Sequence, residues 1–161
     1  MDIINPSVPG LTEIVKIKND SSPSKLNSTV FEDDSTLIDF EIDTGKWALV
    51  TLFRCALGAT GRLKWQWNEE SGVFTQDRSM QMVSSADAVE TLITTANALG
   101  SQILLPAATV AGTTTIMAWT TFACTTEGVL SLQYAQETAA VENCFLQEGS
   151  WARFTKMRSD T

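Results

Sequence analysis

The chain has 161 residues, 43% of them hydrophobic and 19% charged, and 11 Lys plus Arg against 19 Asp plus Glu leave a formal charge of −8. That length and apolar content fit one domain with a real buried core and exclude a disordered tail. The acidic balance argues against binding a phosphate backbone, and the absence of histidine removes the commonest general base and neutral metal ligand.

In chain order, residues 1–11 hold Pro6, Pro9 and Gly10, which block helix and central strand alike. An extended arm is predicted there, ahead of a domain over 12–161. The arm has an acidic second residue and no apolar run, so no export signal is read. No stretch reaches the roughly 18 apolar residues of a membrane span, and a soluble protein without a membrane partner is expected. Residues 12–18 alternate, with Ile14, Lys16 and Lys18 on one face and Val15 and Ile17 on the other. This predicts a short strand with one apolar face. Residues 19–28 form a polar, turn-rich loop.

Ile38, Phe40 and Ile42 alternate with Asp39 and Glu41, a strand with one buried and one wet face, and residues 43–45 turn the chain. The run 46–57 is the most informative. Trp47, Leu49, Thr51, Phe53 and Cys55 fall on one face, and Ala48, Val50, Leu52, Arg54 and Ala56 on the other. Its β-branched and aromatic content favours strand over helix. Both faces are largely apolar, yet in a two-layer sandwich only one face of each sheet meets the core. The other face needs a cover, and a partner subunit would supply one.

After a turn at 58–61, Leu63, Trp65 and Trp67 alternate with Lys64, Gln66 and Asn68, an amphipathic strand; 69–72 is a turn, and Met80 and Met82 suggest a short strand over 79–83. Residues 84–100 carry two patterns. Val89, Leu92, Ile93, Ala96 and Leu99 have helical spacing, while Val89, Thr91 and Ile93 alternate; strand and loop are adopted here. Residues 113–126 are Thr-rich and alternate, with Met117, Trp119 and Ala123 opposed to Ile116, Ala118, Phe122 and Cys124. A hairpin turn at 127–128 leads into 129–136, where Leu130, Leu132 and Tyr134 oppose Ser131, Gln133 and Ala135. Strands over 141–146 and 151–157 follow; the last opposes Trp151, Arg153, Thr155 and Met157 to Ala152, Phe154 and Lys156. Roughly eight or nine strands at this spacing predict an all-β protein, a two-sheet antiparallel sandwich.

The chemistry-bearing residues yield no catalytic candidate. Cys55, Cys124 and Cys144 are odd in number and show no C-x-x-C spacing, so they are expected as small buried hydrophobes of an intracellular or particle-associated protein. The acidic run Glu32, Asp33, Asp34 lacks calcium-loop spacing and is expected as a solvated turn. Glu69, Glu70 and Asp77 could in principle face one another across a cleft, but nothing selects them. Without histidine no serine or cysteine triad forms, and the nine glycines are scattered rather than gathered into a phosphate loop. No metal or cofactor is expected. Trp47, Trp65, Trp67, Trp119 and Trp151 sit at alternating strand positions, which favours core or subunit-interface packing over a sugar-stacking platform. Arg54 lies on an otherwise apolar face; it either pairs with a neighbouring subunit's carboxylate or snorkels to the sheet edge.

A resemblance rests on several segments in order. The run LPAATVAG, a Thr-rich strand, EGVLSLQYAQ, a short strand and GSWARFTKM resemble the C-terminal half of small jelly-roll proteins of tailed bacteriophages. Upstream, STVFEDDSTLIDFEIDTGKWALVTLF is similar to their opening. The likeness covers about residues 14–157 with a departure over 69–100, and no single motif has the specificity of a metal signature. It implies a tumour-necrosis-factor-like jelly roll that forms a homotrimer, serving as a capsid decoration (cement) protein on the outer surface of a phage head after assembly in the host cytoplasm. Its partners would be its own copies and the major capsid protein, with no nucleic acid. The arm residues Ile3, Ile4, Asn5, Pro6, Val8, Pro9 and Leu11 would contact the capsid. Ala48, Val50, Leu52, Arg54, Met117, Trp119 and Tyr134 are expected at the trimer interface. The alternative is a head-fibre or tail-fibre tip whose loops, such as 68–76, read a host-surface glycan. An enzyme is not expected.

Overall fold

The alternating sequence becomes strand after strand in the computed structural model, which describes residues 12–21, 27–57, 63–84, 89–95, 99, 103–104, 112–141 and 144–158. The expected capsid-contact arm, Ile3 to Leu11 included, lies outside the described residues. The strands are β1 (Glu13–Ile17), β2 (Glu32–Asp33), β3 (Phe40–Ile42), β4 (Gly45–Leu57), β5 (Leu63–Glu69), β6 (Val73–Ser84), β7 (Val89–Thr95), β8 (Ile103–Leu104), β9 (Gly112–Thr126), β10 (Gly128–Gln136), β11 (Cys144–Leu146) and β12 (Trp151–Lys156). Among the described residues no helix is long and apolar enough to cross a membrane. Of the two patterns over 84–100, alternation prevails at β7, which pairs with a β6 considerably longer than the 79–83 predicted.

Two antiparallel sheets form. Sheet one runs β1-β12-β4-β9-β6-β7, with β11 also paired to β4; sheet two runs β2-β10-β5-β8, with β3 also paired to β10. The β4–β9 ladder is unbroken from Gly45 opposite Cys124 to Leu57 opposite Gly112. An unbroken register holds one parity of each strand on the core side. Trp47, Leu49, Thr51, Phe53 and Cys55 point inward from β4, meeting Leu63, Trp65 and Trp67 of β5 and Leu130, Leu132 and Tyr134 of β10, all buried. The aromatic centre is a chain of tilted and edge contacts. Phe154 lies 4.7 Å from Phe40, 5.3 Å from Trp67 and 6.2 Å from Phe122 between ring centroids. These spacings are those aromatic quadrupoles prefer.

Strand β1 presents the face opposite to the one its hydropathy suggests. Ile14 pairs with Phe154 and Lys16 with Ala152, so Ile14, Lys16 and Lys18 lie on the core side while Val15 and Ile17 face out. The lysines are accommodated because each finds acceptors. Lys16 Nζ donates to the Ile38 carbonyl at 2.6 Å and sits 4.9 Å from the Phe40 ring centroid. Lys18 Nζ, with no side-chain exposure, lies 3.2 Å from Asp34 Oδ1, whose side chain is equally buried, and donates to Ser35 Oγ at 3.0 Å.

The acidic run is likewise not wholly a solvated turn. Glu32 and Asp33 are exposed, but Asp34 is buried and its Oδ1 also accepts the Thr36 and Leu37 amides at 2.9 Å each. That is the local turn a short carboxylate makes with backbone two and three residues ahead. The turn is held on sheet two by Asp34 N donating to Leu132 O and Leu132 N donating to Leu37 O. Ser131, on the face of β10 opposite Leu130 and Leu132, is also buried with partners. It accepts the Asp39 amide at 2.9 Å and donates to Glu70 Oε1.

Candidate functional site

The side of β4 turned away from the core is where the sequence predicted a partner. Ala48, Val50 and Leu52 are half-buried there, and the ladders extend the face across three neighbours. One row is Ile17, Trp151, Leu52 and Met117; the next is Val15, Arg153, Val50 and Trp119. Met117 is 46% exposed and Trp119 37%, while Val15, Ile17 and Trp151 are half-buried. The charge set into these rows is neutralised within the chain: Arg153 Nε lies 3.5 Å from Glu13. Seven apolar side chains in two adjacent rows make a contiguous patch, which a solitary exposed Leu does not.

Of the expected interface residues, Ala48, Val50, Leu52, Met117 and Trp119 share this face. Tyr134 does not. It lies in sheet two opposite Trp65 and is 1% exposed, because the 129–136 alternation turns its aromatic parity into the core. Arg54 is exposed and donates from Nη1 to the Glu148 carbonyl of its own chain at 3.2 Å. Val15 and Ile17 were missed, and Trp151 was placed only in core or interface packing at large. Their alternation was visible, but which parity faced out depended on burying Lys16 and Lys18, which hydropathy argues against. The tryptophans divide: Trp47, Trp65 and Trp67 are core, whereas Trp119 and Trp151 belong to the outer face.

The outer face of sheet two has the opposite character. Gln66 Nε2 donates to Gln133 Oε1 at 2.9 Å and Gln133 Nε2 donates to Asp33 Oδ1 at 2.9 Å, a polar ladder across β5, β10 and β2.

A second candidate is a cleft of about 540 Å³ at one end of the sandwich. Ile14, Ile42, Trp47 and Val129 give it apolar walls, and Glu41, Asp43 and Glu127 give it carboxylates. Lys156 Nζ reaches Asp43 Oδ2 at 2.6 Å and sits 5.8 Å from the Trp47 ring centroid. Among the described residues, no group of three or more Cys, Asp or Glu side chains could hold a metal ion. The three cysteines are buried and form no disulfide. Burial pushes the Cys55 thiol well up from its ordinary value, with Cys144 adding to the shift, so neither reactivity nor ligation is favoured at neutral pH.

No protein-family model matches the chain, and no curated protein matches it. Among solved structures, the crystal structure of the infectious bursal disease virus VP2 subviral particle is similar over 98% of this chain and 47% of that chain, at 8% sequence identity. The chain thus spans about half the length of that protein. The TM-score is 0.27.

Proposed function

We propose that this chain is a virion structural protein, a jelly-roll homotrimer that decorates the outer surface of a bacteriophage head and ties capsomers together by burying surface rather than by chemistry. The observation that carries the reading is the apolar outer face of sheet one, with Leu52, Met117, Trp119 and Trp151 in adjoining rows. Covering such a face with a second copy removes apolar area from water at roughly 25 cal/mol per Å². Stable interfaces bury about 1,200–2,000 Å² in total. The strand order supports the jelly-roll part. With the β6–β7 hairpin set aside as an insertion, the sheets read β1-β12-β4-β9 and β2/β3-β10-β5-β8, the interleaving expected of paired Greek keys. The sequence resemblance over residues 14–157 and the absence of histidine point the same way.

The experiment has two arms. Light scattering on the full chain should give the mass of three protomers. Titration onto heads lacking the protein should show saturable decoration that is lost when residues 1–11 are deleted, the truncated chain remaining trimeric. A monomer at micromolar concentration (order of magnitude for a stable interface) sinks the trimer; unchanged decoration by the truncated chain sinks the role of the arm. A second reading, a fibre-tip adhesion module, is favoured by the Gln66, Gln133, Asp33 ladder, a polar sheet face suited to sugar hydroxyls. Specific binding on a glycan array, with no binding to heads, would replace the first reading by this one.

A further inference from the structure

We propose that the cleft between β3, the start of β4 and the β9–β10 hairpin is a docking site for a basic side chain of a partner polypeptide, an arginine or lysine entering from an extended segment. Its volume of about 540 Å³ lies in the range of ligand pockets, roughly 300–1,000 Å³, and far exceeds what one ion needs. Its lining divides into two chemistries. Ile14, Ile42, Trp47 and Val129 offer apolar surface to an alkyl stem, while Glu41, Asp43 and Glu127 stand at hand for its charged end. An aliphatic stem with a cationic head matches that division. A bare metal ion does not, since no described set of three ligating side chains converges.

Two of the lining residues, Asp43 and Trp47, already hold a cation of this kind beside the cleft. The Lys156 ammonium lies over Trp47 and binds Asp43, which is how an aromatic wall beside a carboxylate holds a cation. Lys156 does not exhaust the negative charge. Glu41 and Glu127 are exposed, and no basic side chain among the described residues pairs with either. The nearby Cys124 thiol reports the same field. It is raised first by burial and next by Asp43, and Lys156 opposes while Glu127 adds to the rise. The hairpin wall is firm, because Gly128 packs directly on the backbone of Ser71 and Gly72. Docking here is independent of self-association through sheet one and would stand without it.

The test is a nitrogen-15 NMR titration of the full chain with acetyl-Gly-Arg-Gly-amide and, separately, acetyl-Gly-Gln-Gly-amide. The arginine peptide should shift the amides of Glu41, Glu127, Gly128 and Val129 with a Kd on the order of 1 mM at low salt, weakening at about 0.5 M salt as screening shortens. The glutamine peptide should leave them in place. Glu41→Gln/Glu127→Gln, which alters two exposed side chains, should weaken the arginine peptide about tenfold or more, while Leu52→Asp should not. Equal shifts with both peptides, unchanged affinity in the double variant, or shifts confined to other surfaces would overturn the assignment.

Discussion

Removing the Asp34 carboxylate is the sharpest test of how the two sheets are held together at the β1 edge. In Asp34→Ala the Lys18 ammonium, whose side chain has no exposure, keeps among the described residues the hydroxyls of Ser35 and Thr36 and an exposed Asp20 at 3.8 Å. The Thr36 and Leu37 amides lose their acceptor at the same time. Breaking a buried pair from one side costs about 3–5 kcal/mol, against a total of about 5–15 for a domain. At ~2–4 °C per kcal/mol for a chain of this size, the midpoint should fall by roughly 6–20 °C. Asp34→Asn keeps an oxygen for the two amides and should cost less. Lys18→Met/Asp34→Asn, with no buried charge, should recover most of the loss. Urea unfolding at constant m-value of these proteins together with Lys18→Met, which closes the cycle with Asp34→Asn and the double variant, measures the coupling directly. A loss below about 1 kcal/mol in Asp34→Ala, the scale of exposed pairs, would refute the view that this pair is a desolvated clasp. So would a double variant no more stable than Asp34→Ala.

Three further outcomes follow from the same packing. Leu52→Asp puts a carboxylate into the middle of the outer rows, at a cost of several kcal/mol if an interface buries it; light scattering should show dissociation to folded monomers, and a persistent trimer would move the interface elsewhere. Gly128→Ala places a methyl group 2.1 Å from the Ser71 carbonyl oxygen and 2.6 Å from Gly72 Cα, backbone atoms that cannot step aside. It should cost at least the ~1–3 kcal/mol of overpacking, and an unchanged thermal midpoint would contradict it. Cys55, raised by burial above its ordinary 9.0, keeps its proton in the folded state where the unfolded thiol loses it. Its contribution is complete below about pH 9 and is lost as pH rises, with a slope of up to ~1.4 kcal/mol per pH unit. Cys55→Ala should flatten the alkaline limb of a stability-pH curve, and an unaltered limb would reject the burial.

The sequence made the strands of this fold legible where the environment is simple. Trp47 to Cys55 alternates because one side of β4 meets the core, and the same is true of Leu63, Trp65 and Trp67. It failed where a polar side chain is buried with partners from distant segments. Lys18 meets Asp34, and Ser131 meets Asp39 and Glu70; neither association has a local periodic signal. That failure propagated to the candidate site. Alternation alone separates Val15 and Ile17 from Lys16 and Lys18 without telling which set turns out, and so it leaves the β1 edge of the outer face unread. Tyr134 erred in the other direction, an aromatic residue offered to a partner when its own sheet needed it.

The contrast between the two outer faces bears on assembly more than either face does alone. Mean hydropathy near zero describes a chain with no excess of apolar residues, but the average conceals how they are distributed. Sheet two turns out Gln66 and Gln133, whose amides bond to each other and can be left facing solvent. Sheet one turns out Val50, Leu52, Met117, Trp119 and Trp151, and the polar pair among them, Glu13 and Arg153, is closed within the chain. Within these described rows a neighbour therefore gains apolar burial without having to complete the Glu13–Arg153 pair. On the other face it gains little. Such one-sidedness limits growth: copies that meet through sheet one leave polar sheets outside, which favours a closed oligomer over an open stack. If the proposed oligomer forms, the formal charge of −8 adds repulsion between finished copies that brief encounters do not overcome.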